Sequence, residues 1–93
     1  MAGESPEDDR LAALSQAGLD WLANDAEELA RFMAECGYSP GGLRAALGTK
    51  ALSVALIDYF ARNESQLLAM TANAGIGPEE IMRHYWRLNP GGG

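Results

Sequence analysis

Apolar positions fall at three- and four-residue spacings through most of this chain, and no segment shows the strict alternation of a half-buried strand. Leu11, Leu14, Gly18, Trp21 and Leu22 form the first such stripe. Ser5 and Pro6 precede it as an N-cap and first helical residue, and Glu7, Asp8 and Asp9 suit the positive end of a helix dipole. Asn24 and Asp25 break the stripe and cap a second helix that runs through Cys36. Gly37 suits the left-handed residue after a helix end, with Tyr38 folding back onto Phe32 or Met33. Ser39 and Pro40 open a short third helix to about Leu47, stopped by Gly48. Thr49 caps a fourth over 50–62, and a break near Asn63 leads to a fifth over 64–74. A last helix spans 79–88, after the corner Gly75-Ile76-Gly77-Pro78.

The pattern therefore predicts an all-α fold, a compact bundle of five to six short helices forming one domain over 1–93, with frayed ends at 1–4 and 89–93. Sliding the chain by 38 residues lays 13–44 on 51–82 without a gap, with ten identities in thirty-two positions. Ser15/Ser53, Asp20/Asp58, Gly37/Gly75 and Pro40/Pro78 are among them, and Trp21/Tyr59 and Leu22/Phe60 are conservative pairs. The expectation is two tandem three-helix repeats. Gln16 and Gly18 of the first helix align with Val54 and Leu56 of the fourth, which makes the fourth apolar around most of its circumference. The fourth helix is the expected core and the first its cover, with Gly18 permitting a close helix–helix approach.

Composition narrows the function classes. Thirteen acidic against seven basic residues give a net charge of −6, and the cations are scattered, which disfavours a nucleic-acid binder. No apolar run is long enough to span a membrane, and the first residues lack the basic and apolar regions of a signal peptide, so a cytoplasmic location is expected. One cysteine and one histidine leave no disulfide framework and no obvious metal set, so neither metal nor cofactor is expected.

Candidate chemistry is sparse. Asp20 and Asp58, at aligned positions before an aromatic, could do acid–base work, but Arg62 lies four residues from Asp58 and makes a surface ion pair the simpler reading. Cys36 aligns with Ala74, which favours inert packing, and His84 reads as an exposed or capping residue with Glu80 four residues before it. The Gly-x-x-Pro corners admit a helix-turn-helix, with Arg44, Lys50, Arg83 and Arg87 as its positive face, yet Glu79 and Glu80 stand where the groove would be approached. In the last helix, Ile81, Tyr85 and Leu88 form an inward stripe, while Met82 and Trp86 lie on a neighbouring face beside Arg87. Met82, Trp86 and Arg87 have the composition of a protein-contact hot spot, or else pack on the first helix.

The order Leu14…Asp20-Trp21-Leu22-Ala23…Asp25…Leu29…Arg31-Phe32…Gly37…Pro40…Leu43-Arg44, followed by Asp58-Tyr59-Phe60…Glu64…Leu67-Leu68…Gly75…Pro78-Glu79, resembles a small bacterial helical family of roughly ninety residues, classed as a domain of unknown function. The resemblance covers about 10–88 and implies an all-helical fold without supplying an activity, cofactor or site. The Gly37-Tyr38-Ser39-Pro40 corner is also similar, over a short stretch, to ubiquitin-associated three-helix modules. The expected function is a non-enzymatic protein–protein interaction module whose partner is another protein or itself, with no small-molecule substrate. A nucleic-acid-associated regulator and a small enzyme using Asp20 and Asp58 are the alternatives.

Overall fold

Capping chemistry sets most of the helix boundaries in the computed structural model, which describes residues 6–90. The order is α1 (Pro6–Ala23), α2 (Ala26–Cys36), α3 (Pro40–Ala46), α4 (Lys50–Ala61), α5 (Glu64–Ala74) and α6 (Pro78–Leu88), with no strand among the described residues. The fold is all-α. The Asp25 carboxylate accepts from the amides of Glu27 and Glu28, the Ser39 hydroxyl from Gly42, and the Thr49 hydroxyl from Leu52. Each satisfies amides that the helix itself leaves open. Gly37 and Gly75 take φ of 77° and 71°, and the amide after each reaches back to Met33 O and Thr71 O. Tyr38 is thereby carried over Phe32, ring centroids 6.1 Å apart. The expected Ser5 cap, and the fraying expected at 1–4 and over 91–93 of the 89–93 tail, fall outside the described residues.

α4 packs against α1, α3, α5 and α6, and six of its residues are buried: Leu52, Ser53, Leu56, Ile57, Tyr59 and Phe60. A helix enclosed on so many sides must be apolar around its circumference, as its sequence is. One cluster of buried side chains joins Leu11, Leu14 and Leu22 of α1, Phe32 of α2, the α4 residues, Leu67 and Met70 of α5, and Ile81 of α6. α1 lies along α4, and Gly18 faces the ring of Phe60. A Cβ there would stand 2.6 Å from Cε2 of Phe60, so only glycine fits without moving a ring that is 1% exposed.

One polar contact joins α1 to α4, and two more tie these helices to α5 and α2. The Ser15 and Ser53 hydroxyls, 38 positions apart, meet at 2.9 Å. Trp21 Nε1 donates to Gln66 Oε1 at 2.8 Å, and Tyr59 Oη donates to the carboxylate of Glu28. Under the 38-residue shift, Trp21 corresponds to Tyr59 and Glu28 to Gln66, so the last two bonds join the same pair of aligned positions in opposite directions. α2 and α5 both have eleven residues and begin 38 apart.

Candidate functional site

α6 is held to the body by Ile81, which is fully buried, and by His84, which is 6% exposed. Those residues, with half-buried Tyr85 and Leu88, form its inner surface. This corrects the sequence expectation of an exposed or capping His84. Because the N-terminal half of α1 and the start of α4 both flank α6, the covered stripe is wider than one helix's periodicity shows. His84 borders a small cavity with Glu7, Leu11 and Lys50. Its Nδ1 lies 3.4 Å from Nη1 of Arg87. Burial lowers its pKa, and the neighbouring Arg87 adds to the effect.

The outer surface of α6 carries the three residues singled out from the sequence. Trp86 is 52% exposed, and its ring meets that of Tyr85 edge-on at 5.1 Å. Met82 is half-buried and packs against the edge of the core, so the pair divides: methionine braces the helix and tryptophan projects. Arg87 is exposed and its Nη1 lies 3.6 Å from Oε1 of Glu7, which ties α6 to the first turn of α1. Arg83 is exposed one turn before it. The helix thus exposes a large indole, with Arg83 and Arg87 exposed on the same helix.

The remaining candidates separate. Asp20 is exposed and accepts from Gln16 Nε2 at 2.9 Å, whereas Asp58 pairs with Arg62 at 2.7 Å on its own helix. No hydrogen bond among the described residues joins the two carboxylates. Cys36 is half-buried, and burial raises its thiol pKa against the opposing influence of nearby Arg62. Of the four cations assigned to a nucleic-acid face, Lys50 lies 3.8 Å from Asp8 and Arg87 is bound to Glu7. Arg44 and Arg83 are exposed. Among the described residues, no group of three or more histidine, cysteine or acidic side chains is placed to hold a metal.

Sequence reasoning missed the Glu28–Tyr59 pair. Glu28 is 8% exposed and Tyr59 fully buried; burial, then the bond to Glu28, drives the phenol pKa upward. The signal that could have found it is the alignment itself, since it sets a carboxylate against an amide and a phenol against an indole, two matched donor–acceptor sets.

Comparison with known proteins adds a family. Residues 8–91 match the family described as "Protein of unknown function (DUF3572)", which is nearly the whole chain. The chain belongs to that family. No curated protein and no solved structure matches it.

Proposed function

We propose that this member of the DUF3572 family is a non-enzymatic, cytoplasmic interaction module that binds another protein through the outer face of α6. The observation that carries the reading is Trp86, whose indole stands about half out of the surface of a helix that also exposes Arg83 and Arg87. Tryptophan and arginine are the residues most enriched among those that dominate binding energy. An indole half-exposed in this way leaves on the order of 100 Å² to be covered, which at about 25 cal/mol per Å² stabilises a complex by roughly 2–3 kcal/mol. Acid–base chemistry is not part of the proposal, because Asp20 and Asp58 each have a partner on their own helix. A nucleic-acid role has less support, since α1 carboxylates pair with two of its four required cations.

The test is affinity capture with full-length wild type and Trp86→Ala of equal melting temperature. A protein held by the first and lost by the second supports the assignment. Equal capture by both removes Trp86 from the site. Met82→Asp is a poorer first variant, because half-buried Met82 also braces the core edge.

A further inference from the structure

α1 and α4 flank two grooves, one on each side of the seam marked by Ser15 and Ser53. On one side the last turn of α6 fills the groove. Leu11, which lines the same space as His84, Arg87 and Leu88, is 4% exposed, and Ile57 of α4 is 1% exposed. On the other side stands α3, which has seven residues against the eleven of α6. Gly48, at φ 80°, turns the chain into α4 one turn too early for α3 to reach as far. The aligned surface is consequently open. Leu19, which corresponds to Ile57, is only half-buried; Thr49, which corresponds to Leu11, is exposed; and Leu47, which corresponds to Tyr85, is 50% exposed. A cavity of about 90 Å³ lies there, floored by Leu52 and Leu56 and edged by Gln16, Leu19 and Leu47. A cavity of about 150 Å³ accepts benzene, so this one holds a single aliphatic side chain.

The surroundings give the charge of what would fit. The groove continues into a second cavity lined by Asp8, Asp9 and Lys50, and Gln16 on its edge is bonded to Asp20. Asp9 and Asp20 thus stand along the α1 side, while Asp8 and Lys50 lie 3.8 Å apart, on a chain whose net charge is −6. We propose that this groove docks an amphipathic helix of a partner protein, which places one aliphatic anchor over Leu52 and Leu56 and turns lysine or arginine side chains toward α1. The anchor takes the position that the last turn of α6 occupies across the seam. This site is separate from the outer face of α6 and stands or falls independently of it.

The probe is a fluorescein-labelled peptide copying residues 78–90 with both Glu79 and Glu80 changed to Gln, chosen because α6 packs on α4 across the seam. It is titrated into the full-length protein and followed by anisotropy and by amide chemical shifts. The expected result is shifts centred on Ala12, Gln16, Leu19 and Leu47, and affinity that falls with added salt. Leu47→Asp should weaken binding about tenfold or more without lowering the melting temperature, since Leu47 is half-exposed. Trp86→Ala should bind the peptide as wild type does, which separates this site from the one on α6. Absence of binding overturns the proposal, as do shifts confined to residues under the chain's own α6 or undiminished binding by Leu47→Asp.

Discussion

Tyr59→Phe isolates one hydroxyl in the centre of this bundle. The phenyl ring keeps the edge-on contacts with Phe32 and Phe60, at centroid distances of 5.3 and 5.5 Å, so packing is nearly unchanged. The loss falls on Glu28, which is 8% exposed and for which Tyr59 Oη is the donor from outside its own helix. Leaving a buried acceptor without its donor costs about 1–3 kcal/mol, with a charged group toward the upper end. In a domain of this size each kcal/mol lowers the melting temperature by roughly 4–8 °C, so a fall of about 10–15 °C is expected. Glu28→Gln keeps an amide oxygen for the hydroxyl, as Gln66 does for Trp21, and should cost less than about 1 kcal/mol. Pairing Tyr59→Phe with Glu28→Met removes both ends of the bond and should recover most of the loss. Urea unfolding of wild type, Tyr59→Phe, Glu28→Met and the double variant, followed by circular dichroism, closes the cycle and should show a coupling of at least about 1 kcal/mol. If Tyr59→Phe is neutral, or if the double variant is as unstable as the sum of its parts, the buried pair does not hold α2 to α4 as argued.

Other consequences follow from single residues. Gly18→Ala gains about 1 kcal/mol of helix propensity but drives a methyl into Phe60, so a net loss of roughly 1–2 kcal/mol should appear in thermal unfolding. His84 has a folded-state pKa below its ordinary value of 6.5, so the unfolded chain takes up the proton first. Stability is therefore full above about pH 6.5 and declines as pH falls through the lower folded value; a wild-type curve that parallels His84→Gln between pH 7.5 and 5.5 would contradict this. The thiol of Cys36, raised in pKa by burial, should react with a disulfide reagent at neutral pH more slowly than free cysteine does, and faster labelling would refute its packing role.

Local chemistry made most of the fold legible. Asp25, Ser39 and Thr49 cap as their types and positions require, and Gly37 and Gly75 sit at left-handed helix ends. The break at Asn63 is also where the sequence places it, although the Asn63 side chain bonds back to Tyr59 O and leaves α5 without a side-chain cap. Gly18 announced a close contact by standing in mid-helix, though not that Phe60 would fill it. The candidate site was legible in part. Trp86 projects from α6, but the division between projecting Trp86 and bracing Met82 depends on how far the core edge extends, which no single helix's periodicity contains. The same reason hid His84 and Glu28. Each is buried by the meeting of two or more helices, and a pattern read along one helix records only its own stripe.

The central claim is that Trp86 on α6 holds a partner protein. The most direct measurement is quantitative affinity capture by full-length bait, wild type against Trp86→Ala, with both shown by circular dichroism to melt at the same temperature. Removal of a dominant indole costs about 2 kcal/mol or more, so retention of the partner should fall by roughly 30-fold. A partner retained equally by both baits, or no retention at all by a bait that light scattering shows to be monomeric, would contradict it.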